Sequence, residues 1–203
     1  MEKIKQTTAV RWGILFLLLG TALVLVWLGP EERTLGGGIR SVYIHVGLVW
    51  TGMAAFGLAA ALGLWLAATA SDTAARWLPT VSRVGLLVYF AGIAASALAS
   101  RLNWGAVFWQ EPRMATAVNM LAVALIVQVL TSWLPTHRLV GLLHTGFFAL
   151  LLWANASTRL VLHPDDPIGT SDAIGIRLTF WAVFVLIGTA VAWGVYTWQQ
   201  PQN

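Results

Sequence analysis

Residues 42–69 read VYIHVGLVWTGMAAFGLAAALGLWLAAT, a run of 28 residues without an Asp, Glu, Lys or Arg. A helix needs about 20 predominantly apolar residues to cross the hydrocarbon core of a bilayer. This run is therefore long enough to cross a membrane as a single helix. It predicts an integral membrane protein, and the runs on either side of it extend that prediction.

Five more apolar runs flank this one, at residues 11–29, 84–100, 114–133, 139–157 and 174–198. Each is close to the length that a transmembrane helix requires. The links between the runs contain charged residues or Gly and Pro, which break helices. The sequence therefore predicts an all-α integral membrane protein, a bundle of six transmembrane helices that forms one domain over residues 1–203.

The composition agrees with a membrane protein and excludes several functions. Of the 203 residues, 58% are hydrophobic and 10% are charged, and the mean hydropathy is +0.75, whereas soluble domains carry about 25% charged residues. The absence of cysteine excludes disulfides, thiolate metal sites and cysteine nucleophiles. The net charge of +4 is spread over many links, so we expect the lipid bilayer and no nucleic acid as a partner. No hydrolase, phosphate-loop or dinucleotide motif occurs, and we expect the chain not to be an enzyme.

The orientation in the membrane follows from the first span. Counts of Lys and Arg are equal on the two sides, but Lys3, Lys5 and Arg11 precede the first helix, which usually dominates the positive-inside rule. We therefore expect a multi-pass protein of the plasma (inner) membrane with both termini cytoplasmic. The links after the first, third and fifth spans then face the outside.

Two histidines lie at the outer end of this arrangement. His45 is at the start of the second span and His163 directly follows the fifth. Neutral imidazole is a common ligand of heme iron, so the two are candidate axial ligands. The alternative is that both are interfacial residues that form hydrogen bonds. For His144, inside the fifth span, we expect a hydrogen bond to a neighbouring helix.

The link between the third and fourth spans, LNWGAVFWQEPRMAT at 102–116, is unusually aromatic. Indole faces offer an apolar platform for a flat macrocycle, and arginines pair with carboxylates such as heme propionates. Trp104, Phe108, Trp109, Arg101 and Arg113 supply both residue types. The alternative is an interfacial segment whose indoles lie among lipid headgroups.

A shared surface for Trp104 and Trp109 requires an irregular backbone. On a helix, a separation of five residues would place them about 140° apart. Gly105 permits a turn beside Trp104, and Pro112 favours an extended conformation at Glu111. We therefore expect an irregular or only partly helical loop.

The segment IRSVYIHVGLVW, residues 39–50, resembles the start of the second helix in the heme exporter protein C type, a heme-handling family of cytochrome c maturation. The match includes Arg40, Tyr43, His45, Val46 and Trp50. The aromatic link resembles that family's tryptophan-rich outer loop, and VLHP with His163 resembles its fifth-helix ending. The resemblance covers roughly residues 35–190.

Departures from the family pattern lie in the same places. The link has fewer tryptophans than the family loop, and Glu111 and Pro112 stand in place of Asp and Ala. Asn155 stands where some members carry a histidine.

The resemblance implies a heme-binding membrane protein for heme handling and delivery in cytochrome c-type biogenesis, with non-covalent b-type heme presented at the outer face. The implied partners are other membrane proteins of a cytochrome c assembly or respiratory complex. One alternative is a membrane anchor or electron-transfer subunit that holds heme or a quinone, and another is a structural subunit without a cofactor. The candidate heme-binding residues are His45, His163, Trp104, Trp109, Arg101 and Arg113.

The orientation is open to a direct test. A reporter fused after Asn203 should be active in the cytoplasm, because the basic residues before the first span retain the N-terminus there and six spans return the chain to the same side. A fusion that is active only outside the cytoplasm would contradict this topology.

Overall fold

The computed structural model of the chain describes residues 8–158, 160, 162 and 166–200. In that part the chain forms six helices, each long and apolar enough to cross a membrane. The all-α prediction with six spans is therefore confirmed. The helices are α1 Thr8–Leu28, α2 Ile39–Thr69, α3 Asp72–Trp104, α4 Pro112–Trp133, α5 His137–Ser157 and α6 Ile174–Gln199.

Hydrogen bonds between helix ends show that α6 runs antiparallel to α1 and that α3 runs antiparallel to α2. The indole N–H of Trp193, near the end of α6, donates to the carbonyl of Arg11, near the start of α1. At the other end of the bundle, the Asn103 amide of α3 donates to the Ser41 hydroxyl of α2. We call this second end, with the links 29–38 and 105–111 and the described part of the link after α5, the site end.

Helix α2 is the centre of the bundle. It packs against α3, α5 and α6, and to a smaller extent against α1, while α1 lies mainly on α6 and α4 lies on α3 and α5. Its fully buried side chains contribute to all three apolar clusters of the core, through Ile39 and Tyr43, through Phe56, and through Leu66. Helices α3, α5 and α6 are therefore positioned by their contacts with α2, and α1 and α4 pack on this inner group.

Glycines bring α2 close to its neighbours. A Cβ atom on Gly52 would come within 2.8 Å of the Tyr89 backbone in α3, and one on Gly63 would collide with the backbone of Gly141 in α5. The Thr145 hydroxyl of α5 also lies 3.2 Å from the Ala60 carbonyl oxygen. Small residues permit such backbone approach between membrane helices, where dispersion contacts and interhelical hydrogen bonds drive association.

Helix α3 begins much earlier than the predicted span at 84–100. It starts at Asp72, where the Ser71 side chain accepts a hydrogen bond from the Ala74 N–H as an N-cap, and it contains Pro79 in its interior. Charges and the proline made this segment look like a link. The cap and the buried residues Ala74 and Leu78 explain why it is helical instead.

Polar side chains join three helices inside the bundle. His144 of α5 is 3% exposed, and its Nδ1 lies 3.3 Å from the Ser82 hydroxyl of α3. The Gln128 amide of α4 donates to the same hydroxyl. The expected hydrogen bond from His144 to a neighbouring helix is therefore confirmed.

The tight contact at Gly52 should respond to a single methyl group. Gly52→Ala should lower the free energy of unfolding by about 1–3 kcal/mol, because the added Cβ overlaps the α3 backbone. Unfolding by SDS titration in mixed micelles would measure the change. Gly146→Ala is the matched control, since a Cβ there meets nothing within 4 Å, and equal effects of the two substitutions would contradict the packing argument.

Candidate functional site

A cavity of about 810 Å³ opens at the site end of the bundle. Pockets for small molecules and cofactors have volumes of about 300–1,000 Å³. Side chains of five helices and three links line it, including Leu35, Val42, His45, Val46, Val49, Trp50, Met53, Tyr89, Ile93, Ser96, Trp104, Phe108, Glu111, Arg113, Asn155, Asp166, Arg177, Phe180 and Trp181.

The packing of α5 on α2 explains the position of the cavity. The two helices approach closely in the half of α2 that follows Gly57, where a Cβ would lie 3.0 Å from the Phe148 ring, and at Gly63. In the other half of α2, the residues that face the cavity recur every three or four positions, as at Val42, Val46 and Val49. One face of α2 therefore forms the apolar wall.

His45 brings an imidazole to this wall. The side chain is half-buried, and its Nδ1 lies 3.3 Å from the Ser41 carbonyl oxygen of the preceding turn. With the proton on Nδ1, the ring donates to that carbonyl and the lone pair lies on Nε2. Histidines that bind metals usually donate their other ring N–H in this way, which sets the tautomer and the ring orientation.

The aromatic link has the irregular backbone that the sequence predicted. Trp104 ends α3, Gly105 adopts a left-handed φ of 79°, and residues 105–111 are not helical. Glu111 is extended and caps α4, because its Oε2 accepts a 2.6 Å hydrogen bond from the Met114 N–H. Pro112 then occupies the first position of α4, where its missing N–H costs nothing.

Asn103 fixes this link to the start of α2. Its Nδ2 lies 3.1 Å from the Ser41 hydroxyl and 2.8 Å from the Ala99 carbonyl oxygen. A Cβ on Gly38 would collide with the same amide. Because Ser41 also contacts His45, the imidazole and the Trp104 end of α3 share one hydrogen-bonded support.

The structure assembles half of the predicted heme-binding residues around the cavity. His45, Trp104 and Arg113 come from α2, α3 and α4 and all line it. Trp109 and Arg101 are exposed and are not among its lining residues. His163 lies outside the described residues.

The lining residues that were not predicted as site residues include Trp50, Trp181 and Arg177. Arg177 lies in the first turn of α6, and Phe180 and Trp181 follow it on the next turn. Trp50 of α2 meets Phe180 at 5.4 Å and Trp181 at 6.0 Å between ring centroids. The sequence signal was an arginine followed by aromatic residues at helical spacing, at the start of the last span.

Two carboxylates and two guanidinium groups bring charge to the lining. The carboxylates of Glu111 and Asp166 accept backbone hydrogen bonds, from the Met114 N–H and from the Gly169 N–H at 2.7 Å. Arg113 and Arg177 bring guanidinium groups, which pair with planar carboxylates through two parallel hydrogen bonds. The cavity can therefore receive a largely apolar ligand that carries carboxylates.

The link between α1 and α2 reaches the wall of the cavity through Leu35. The carboxylate of Glu32 organises this link by accepting from the Thr34 hydroxyl and from the backbone N–H groups of Thr34 and Leu35, at 2.8 and 2.9 Å for the two backbone groups. The hydrogen bonds from the Thr34 hydroxyl and the Leu35 N–H hold the pKa of Glu32 below its usual value. The link is thus ordered by an ionised side chain at neutral pH.

These features define a multi-pass membrane protein with an aromatic cavity at one end, to which arginines and an imidazole contribute. The sequence matches no protein-family model, and no curated protein matches it. The resemblance to the heme exporter protein C type accordingly rests on the residues quoted for it.

Proposed function

We propose that the chain is a heme-binding membrane protein that holds non-covalent b-type heme in the site-end cavity, for heme handling and delivery in cytochrome c-type biogenesis. One observation carries the proposal: three separate helices bring His45, Trp104 and Arg113 to the wall of one cavity. The same residues carry the sequence resemblance. The proposed partners are heme and other membrane proteins of a cytochrome c assembly or respiratory complex.

The residues of the cavity fit a heme in three respects. The face of α2 and the Ile93 side chain of α3 supply apolar walls for a macrocycle. The arginines Arg113 and Arg177 supply partners for two propionates. His45 supplies an imidazole, and heme iron binds axial imidazole ligands. His163 remains the candidate for the second axial position.

The orientation decides which face of the membrane presents the ligand. All three links of the site end follow odd-numbered helices. With the N-terminus in the cytoplasm, these links and the cavity lie at the outer face of the inner membrane. Heme bound there would be accessible to acceptors outside the cytoplasm, as delivery to c-type cytochromes requires.

The first test compares two histidines. Protein purified from cells supplied with heme should show heme absorbance and a pyridine-hemochrome signal, and His45→Ala should lose most of it. His144→Ala is the matched control, because that imidazole is bonded to Ser82 inside the bundle and is not on the cavity lining. Equal heme per mole of protein in the wild type and in His45→Ala would remove His45 from the site.

The same measurement separates the alternatives. A wild-type protein that binds no heme under these conditions would contradict the proposal and favour a structural subunit. Heme that is retained but never transferred to an acceptor protein would favour a permanent electron-transfer subunit. Transfer to an apocytochrome in solution is the result expected for a delivery protein.

A second test compares two arginines. Arg177→Ala should weaken heme retention about tenfold, equal to about 1.4 kcal/mol, because a charge-assisted hydrogen bond to a carboxylate is lost. Arg101→Ala should change it little, because Arg101 is exposed on α3 and not on the cavity lining. Competition with apomyoglobin gives both values, and a larger loss in Arg101→Ala would place the propionates elsewhere.

A further inference from the structure

The hydroxyl group that lies deepest in the site-end cavity belongs to Tyr89, in the middle of α3. The side chain is 1% exposed and lines the cavity. Its backbone lies against Gly52 of α2, where an added Cβ would come within 2.8 Å. Gly52 follows His45 by seven residues on the same helix, so Tyr89 lies about 10 Å farther from the site end than His45 does.

Tyr89 differs from the other buried hydroxyl groups of the described residues, because it has no hydrogen-bond partner among them. The hydroxyl of the other buried tyrosine, Tyr43, donates to a backbone carbonyl at 3.3 Å. The hydroxyls of Thr51, Ser82 and Ser100 also have partners. The Tyr89 oxygen is not completely enclosed by protein atoms, so its open side faces the cavity that the residue lines.

A buried hydroxyl without a partner costs free energy, and an ordered water or a ligand usually supplies the missing acceptor. An ordered water needs two to four polar partners of its own. The side chains packed around Tyr89 are apolar, with Phe56 and Ile93 in the same cluster and Val49 and Met53 against it. A water molecule there would lack partners, so the surroundings favour an acceptor that a ligand carries.

The packing of the phenol ring sets the direction of its hydroxyl. The ring meets that of Phe56 edge-on, with 5.7 Å between the centroids and 66° between the planes. Phe56 is held in turn by Phe147 at 4.9 Å. A donor that is fixed before the ligand arrives loses little conformational entropy on binding.

The cavity therefore offers different chemistry at its two ends. Arg113 and Arg177 lie in the first turns of α4 and α6, at the site end. The inner end has the Tyr89 hydroxyl, and the face of α2 between the two ends is apolar. A flat ligand with carboxylates on one edge and an oxygen acceptor on the opposite edge would satisfy both ends. In b-type heme the edge opposite the propionates carries vinyl groups, which have no oxygen or nitrogen acceptor.

We infer that the cavity prefers a heme in which an oxygen-bearing substituent, such as a formyl group, replaces a vinyl group on the edge opposite the propionates. Tyr89 donates a hydrogen bond to that oxygen and is the residue that sets the preference. The inference rests on the proposed function for the ring itself and adds a choice among hemes. A b-type heme occupies the same cavity but leaves the Tyr89 hydroxyl without an acceptor.

Titration of purified heme-free protein with two hemins tests the preference. The two ligands are protohemin and its analogue in which one vinyl group is replaced by a formyl group. The wild type should bind the formyl compound about tenfold more tightly, because only this compound supplies an acceptor to the buried hydroxyl. Tyr89→Phe should bind the two hemins equally.

Two variants serve as matched controls, and both should keep the preference. Tyr43→Phe also removes a buried phenol hydroxyl, but Tyr43 is not on the cavity lining. Ser96→Ala removes a hydroxyl from the same lining, on the same face of α3 and seven residues nearer the site end.

The stability of the heme-free protein gives a readout that does not involve a ligand. The midpoint of SDS unfolding should be no lower for Tyr89→Phe than for the wild type, because the substitution breaks no hydrogen bond. Tyr43→Phe should lower the midpoint, because it loses the bond to the Pro30 carbonyl. A lower midpoint for Tyr89→Phe would mean that the hydroxyl bonds to the protein itself and would overturn the inference.

The binding results separate this inference from the proposed function. Equal affinity of the wild type for the two hemins, or a preference that persists in Tyr89→Phe, would overturn the inference and leave the proposed function standing. Failure of both hemins to bind would contradict both. Binding of decylubiquinone that requires Tyr89, without binding of either hemin, would assign the hydroxyl to a quinone carbonyl and overturn the preference among hemes.

Discussion

The close contact of α2 with α3 and α5 is the constraint on which the rest of the structure depends. At Gly52 and Gly63 the neighbouring backbones leave no room for a Cβ atom. In the half of α2 nearer the site end, α5 contributes only Asn155 to the cavity lining. The tight contact of α2 with α5 therefore lies beside one half of α2, and the cavity lies beside the other.

The apolar lengths in the sequence were sufficient to predict the six spans, because a bilayer demands a minimum apolar length of each helix. They were not sufficient to predict where α3 begins. Residues 72–83 contain two arginines, an aspartate and Pro79, yet Leu78 and Ala74 are buried against the core. In that segment, tertiary packing outweighs the local signals for a link.

The sequence pointed to some residues of the candidate site and not to others. His45, Trp104 and Arg113 stood out because each is an unusual residue at a span boundary, and all three reach the cavity. Arg177 and Trp181 were missed because their relevance depends on which helix lies opposite α2, and periodicity within one helix does not reveal that. Trp104 and Trp109 looked equivalent in the link, but only Trp104 is on the cavity lining.

Helix α6 is the last of the six to leave the ribosome, and it supplies one wall of the site-end cavity through Arg177 and Trp181. Chains are synthesised from the N-terminus, and the early segments insert while the later ones are still being made. The site-end cavity is not complete until this final helix has entered the membrane, so a truncated or half-inserted chain would lack the aromatic and guanidinium groups of one wall.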